Sequence, residues 1–208
     1  EMLGAILTVL RTREDLRKYF FRSGPSAAWA PILYERGFFE QPPPPQKTEQ
    51  GYVLPSWDVL YYLNSVAAQV PDVVVQVAES FEAEGWYVSL VIRALRDIPA
   101  EQSVKLLPKI ISWLDEPRIA AAIANETAGL VAHLAQGKQL DAALDLMQAL
   151  TAPIPSSDLK TVGSMIWGVE AQSKFPNIHD YEVGQFFEHL IPQLASLAPE
   201  RLVATLQE

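Results

Sequence analysis

Apolar residues recur every three to four positions along most of the chain, and proline or a polar cluster interrupts them about every twenty residues. That pattern restricts the fold to a string of short helices joined by proline-marked turns. Composition agrees where helices and sheets differ in need: 16 prolines supply starts and stops, while 10 glycines in 208 residues are few for the tight turns of a β protein.

The spacing predicts a first helix from Met2 to about Arg22, with Leu3, Ile6, Leu7 and Leu10 on one stripe, Leu16, Tyr19 and Phe20 continuing it, and Thr12 as the point where it can break. Ser23 to Ser26 stop it. Ser26 is placed to cap a short helix over residues 27–34, and Gly37 to end that one at its C′ position. The stretch from Glu40 to Pro55 holds four consecutive prolines, Pro42 to Pro45, and reads as polyproline II followed by a polar turn. Ser56 then caps Trp57 to about Val70, Pro71 opens a helix to about Glu82, and Gly85 precedes Trp86 to Asp97.

Pro99 opens the next helix, whose stripe is Leu106, Leu107, Ile110, Ile111 and Leu114. Because the apolar period continues across Pro108, that proline is expected to bend the helix without ending it. Pro117 starts a helix closed by Gly137; Leu140, Leu144, Met147 and Leu150 mark another; Ser157 caps a third; residues 181–197 and the segment opened by Pro199 complete the series. Val73 to Val77 suits a strand by propensity, but it follows a Pro-Asp helix start and reads as helix.

About ten antiparallel helices with short turns give an all-α chain, read here as an α-solenoid of degenerate HEAT-like or armadillo-like helix pairs. Residues 105–110 and 189–194 share a Leu-Pro step at an offset of 84, twice a period of 42. The whole chain, 1–208, is expected to be one domain: N-terminal helices over 1–39, a proline-rich loop over 40–55 and helical repeats over 56–208. Leu202, Val203 and Leu206 begin another apolar face, which predicts that the chain belongs to a longer protein with further domains.

Residues 30–39, with Pro31, Arg36, Gly37, Phe38 and Phe39, then the proline run, Trp57 with Tyr62 and Leu63, Pro71, Pro99, Leu106 to Ile110 and Trp113 with Leu114 follow one another in a characteristic order. Over about residues 29–116 the chain resembles a helical-repeat region found in large bacterial proteins. The resemblance implies a HEAT-like or armadillo-like array, supplies no activity and carries no functional residues over to this sequence.

With no cysteine, disulfides, thiolate metal sites, iron–sulfur clusters and cysteine nucleophiles are excluded. No apolar run approaches the ~18 residues of a membrane-spanning helix, and the first residues lack a basic n-region with a cleavage site, so a cytoplasmic location is expected. Phosphate-loop, dinucleotide, HExxH, EF-hand and GxSxG patterns are missing. Ser157 to Lys160 fits SxxK without its usual partner motifs, and Ser157 is better read as an N-cap. His133, His179 and His189 are scattered; a metal or catalytic site from His179, Asp180 and His189 has no motif behind it. The sequence therefore predicts a protein that is not an enzyme and uses no metal or cofactor.

Charge is unevenly spread. Residues 1–52 hold seven Lys/Arg against six Asp/Glu, and residues 53–208 hold nine against nineteen, so the net charge of −9 lies almost wholly in the second part. An acidic body repels phosphates and anionic headgroups, which makes nucleic acid an unfavoured partner and a membrane no partner. Arg11, Arg13, Arg17, Lys18 and Arg22 are the exception, spanning two adjoining helix faces. They read first as a solvated face with a Glu14 to Lys18 pair, and alternatively as phosphate contacts of a nucleic-acid-binding module. The leading reading is a non-catalytic scaffold that binds protein or peptide along a concave surface, or spaces neighbouring domains, with Trp57, Trp86 and Trp113 as candidate anchors. The proline run is better explained as a packed inter-helix loop than as a polyproline ligand.

Overall fold

A computed structural model describes residues 2–44, 46–48, 51–53, 55–82, 86–151, 188, 191–192, 194–196 and 199–207, and most of these are helical. The first predicted helix divides into α1 (Met2–Thr12) and α2 (Glu14–Arg22), because Arg13 takes an extended backbone of φ −116° and ψ 98°. α3 (Trp29–Glu35) begins two residues later than the sequence predicts, with Ala28 in the N-cap position and no side-chain cap; the Ser26 hydroxyl accepts the Ala28 N–H at 3.2 Å in the turn before it. It leaves through Gly37, whose φ of +69° lets the Phe38 N–H reach the Leu33 carbonyl and the Gly37 N–H reach that of Tyr34, at 3.0 and 2.9 Å.

The loop that follows contains a feature the sequence reading missed. Strands β1 (Gln46–Thr48) and β2 (Gly51–Val53) pair antiparallel, with Gln46 opposite Val53 and Thr48 opposite Gly51, where only a polar turn was expected. Proline already holds the preceding backbone extended, so a short strand continues its course without a change of conformation. The valine run behaves as predicted: Val73 to Val77 lie inside α5 (Pro71–Ser80).

α4 (Asp58–Val66) runs into a 3₁₀ turn over Ala67–Gln69 before α5 begins. Its expected cap needs correction. The Ser56 hydroxyl donates to the Asp58 carboxylate at 3.2 Å, and no side chain caps the backbone at Trp57. α6 (Trp86–Arg96) follows.

The helix expected across Pro108 is also corrected. It consists of α7 (Ala100–Ser103), a 3₁₀ step over Val104–Leu106 and α8 (Leu107–Leu114), with Pro108 in the first turn of α8. In a continuous helix Pro108 would lack the N–H owed to Val104 and its ring would strike that carbonyl; in a first turn neither cost arises.

α9 (Pro117–Gln136), α10 (Leu140–Thr151) and α11 (Pro199–Gln207) complete the described helices. α9 ends at Gln136, before the glycine as the sequence places it, but the left-handed residue beyond it is not that glycine. Gly137 has an ordinary φ of −76°, and Lys138 takes the left-handed φ of 63° while its N–H bonds Ala135 at 3.1 Å and the Gln139 N–H bonds Leu134 at 2.9 Å. Gly137 is required for closeness instead: a Cβ there would lie 2.3 Å from that of Ala100 on α7. Ser157 with the helix it is expected to cap, and His179, Asp180 and His189, lie outside the described residues.

Packing follows a serial order. α2 lies on α1 and α4, α4 on α6, α6 on α9, α9 on α10 and α10 on α11, while α3, α5, α7 and α8 form a second line against them. α4, α6 and α9 open at Asp58, Trp86 and Pro117, intervals shorter than the 42-residue period read from the sequence. One continuous apolar core runs from Leu7 to Leu202. α6 sits at its centre with eight of eleven residues buried.

Two measurements check this packing. Gly137→Ala should destabilise the chain by about 1–3 kcal/mol through overpacking against Ala100, and Lys138→Gly should stabilise it by about 0.5–1 kcal/mol by relieving the left-handed residue, both read by urea unfolding followed by circular dichroism. Tyr62 donates its hydroxyl to the Ser26 carbonyl at 2.8 Å, and burial pushes its phenol up from the ordinary 10 to about 12. The fold therefore holds that proton more tightly than the unfolded chain does. Stability should be intact below pH 10 and fall between pH 10 and 12 by at most about 3 kcal/mol, a fall that Tyr62→Phe flattens.

Candidate functional site

The basic residues near the N-terminus do not form one patch. Two are engaged locally on the protein surface: Lys18 bonds Glu14 at 2.6 Å and Arg13 bonds Asp15 at 3.0 Å. These hydrogen-bonded pairs hold the Glu14 and Asp15 carboxyls below the usual carboxylate range and raise the Arg13 guanidinium above its own. The Glu14 to Lys18 pair is the one the sequence predicts. Arg22 is exposed.

Arg11 and Arg17 turn toward a different place. Arg11 lies over the Phe38 ring, 5.1 Å from its centroid, and its guanidinium donates to the Arg36 carbonyl just beyond α3. This contact ties α1 to the end of α3 and brings Arg36 beside the other two. Together Arg11, Arg17 and Arg36 line a cleft of about 480 Å³ with Pro42, Pro43 and Pro44 of the loop and Ser56, Trp57 and Asp58 at the start of α4. Gly37, Phe38, Glu40, Gln41 and Val59 complete the lining. Three arginines and two acidic residues line it, so the lining is net positive on a chain of net charge −9.

The proline loop is held by aromatic residues. Tyr87 donates its hydroxyl to the Pro55 carbonyl at 2.7 Å and approaches that of Pro43 at 3.4 Å. Trp57 stacks on Phe81 with centroids 5.8 Å apart and meets Tyr87 edge-on at 5.3 Å. Burial, with the Tyr61 phenol as a second contribution, raises the Tyr87 phenol above its ordinary value, keeping it a donor. The proline segment is thus a packed loop, as the sequence suggests, with Tyr87 as a polar anchor.

The three tryptophans marked as candidate anchors separate cleanly. Trp57 and Trp113 are each 7% exposed and belong to the core, whereas Trp86 is 53% exposed. Over Trp113 lies the Lys109 ammonium, 5.7 Å from the ring centroid and bonded to the Glu79 carbonyl near the end of α5. Burial corrects the anchor reading for Trp57 and Trp113, whose large rings fill space between helices. Trp86 keeps it. Tyr61 on α4 and Tyr19 on α2 are also exposed, at 45% and 73%, on successive helices of the same row.

Elsewhere the polar residues serve the scaffold. His133 donates from Nε2 to the Ile98 carbonyl at 2.9 Å, and Ser103 donates to that of Leu95 at 2.7 Å, satisfying acceptors left at the end of α6. Arg93 and Arg96 both bond Glu126 on α9, at 2.9 and 2.6 Å. Gly129 makes this fork possible, because a Cβ there would fall 2.6 Å from the Arg96 guanidinium carbon. Among the described residues no three His, Cys, Asp or Glu side chains gather as a metal site, and no helix is long and apolar enough to cross a membrane.

The sequence reading missed Arg36, Glu40 and Asp58 as cleft residues. Periodicity carries no trace of them, since they meet only through the turn at Gly37 and the return of the loop to α4. Trp113→Ala and Trp57→Ala should each cost about 3–5 kcal/mol in urea unfolding, and Trp86→Ala no more than about 0.5 kcal/mol, because only the first two vacate a packed site.

Comparison of the chain with protein-family models, with curated proteins and with solved structures finds no match.

Proposed function

We propose that the chain is a non-catalytic helical-repeat module, HEAT-like or armadillo-like with irregular repeats, that binds a protein or peptide partner. One observation carries the reading: Trp86 stands 53% exposed at the start of the most buried helix, while Trp57 and Trp113 are packed away. A large aromatic residue held outward by a rigid element is the usual centre of a recognition surface, and Tyr61 and Tyr19 are exposed on other helices of the row. The serial packing of α2, α4, α6, α9 and α10 supports a repeat array, as does the resemblance over residues 29–116.

Nucleic acid is the weaker alternative, since Arg13 and Lys18 are paired on the surface and the body is acidic.

Immobilised protein should retain a partner from nuclease-treated lysate of the source cell, at both low and high salt, and Trp86→Ala should release it while unfolding at an unchanged urea midpoint. Recovery that disappears with nuclease, or a partner indifferent to Trp86, contradicts the proposal.

A further inference from the structure

The cleft between α1, α2, the end of α3 and the proline loop has the makings of a specific site. Its volume of about 480 Å³ lies inside the ~300–1,000 Å³ range of ligand pockets. Its three cations come from three separate elements, and the structure holds them together: the Arg36 carbonyl accepts from Arg11, whose guanidinium rests on Phe38, and half-buried Arg17 joins from α2. Among the described residues none of the three forms a salt bridge. Guanidinium groups are suited to carboxylate or phosphate by their fork of donors.

The rest of the lining narrows the ligand. Glu40 and Asp58 share the cleft, so a ligand that offers only acceptors would leave them unanswered, and a long polyanion such as nucleic acid would run beyond the cleft along a body carrying most of the net charge of −9. A peptide answers both signs at once. Its carboxylates can pair with the arginines, its backbone N–H groups can donate to Glu40 and Asp58, and an extended chain suits a lining that includes the proline run Pro42 to Pro44. We infer that this cleft binds an extended, carboxylate-bearing peptide segment, with Arg17 and Arg36 as its direct contacts. The inference rests on the peptide-binding reading above and assigns it a second, polar contact apart from Trp86.

Fluorescein-labelled hexaglutamate, hexalysine and six-nucleotide oligothymidylate are the probes, titrated at about 20 mM salt and followed by fluorescence polarisation. Hexaglutamate should saturate, and raising salt to about 200 mM should weaken it. The double variant Arg17→Ala/Arg36→Ala should weaken it at least tenfold; it leaves the Arg36 carbonyl and the Arg11 to Phe38 contact in place, and an unchanged urea midpoint confirms folding. Arg17→Lys/Arg36→Lys, which keeps charge and loses the fork, should recover only part of the affinity. The inference is overturned by unsaturable hexaglutamate binding, by equal affinity in the alanine variant, or by tighter binding of hexalysine or oligothymidylate. Failure here with Trp86-dependent capture retained removes the cleft and leaves the module reading standing; loss of that capture as well removes both.

Discussion

Burial of α6 on nearly all sides is the constraint on which the rest of the structure depends. Tyr87, Val88, Leu90, Val91, Ile92, Ala94 and Leu95 are at most 3% exposed, and α4, α5, α7 and α9 all pack against this one eleven-residue helix. A helix buried over most of its surface must have its inward polar atoms satisfied by protein partners. Asn64 of α4 donates to the Leu90 carbonyl, Ser89 donates to that of Trp86, and Ser103 and His133 close the far end at Leu95 and Ile98. Arg93 and Arg96 bring the outward side into register with α9 through Glu126.

The surfaces proposed for binding depend on that fixed helix. Trp86 and Tyr87 are adjacent on it and point to opposite tasks: the first is held out toward solvent, and the second reaches back to pin the proline loop. The loop's position in turn shapes the cleft, with Arg11 fastened to Phe38 and the Arg36 carbonyl. A single buried helix thereby orients an exposed tryptophan and supports part of the lining of a charged cleft.

Much of the fold was legible because proline and glycine act locally. Pro71 and Pro117 open helices where the sequence places them, Gly37 ends α3 in the left-handed conformation, and the valines of α5 follow their Pro-Asp start over their own propensity. What failed were positions where a tertiary neighbour decides. Pro108 starts a new helix after a 3₁₀ step, Gly137 serves closeness to Ala100 while Lys138 takes the strained φ, and a hairpin forms beyond the prolines. The repeat period read from one Leu-Pro match differs from the spacing of the helix starts for a related reason: a short motif reports one turn and not the packing of a whole pair.

The site was harder to read than the fold. Arg11 and Arg17 were singled out for their charge, yet their cleft partners Arg36, Glu40 and Asp58 join them only through loop geometry, and nothing in periodicity separates buried Trp57 and Trp113 from exposed Trp86. Native-state hydrogen exchange, resolved by residue, tests the dependence on α6 most directly. Amides of Val88 to Leu95 should exchange only through global unfolding, with the same free energy as urea unfolding, while α1 and the hairpin exchange through smaller openings. Exchange in α6 as fast as in α1 would contradict the account.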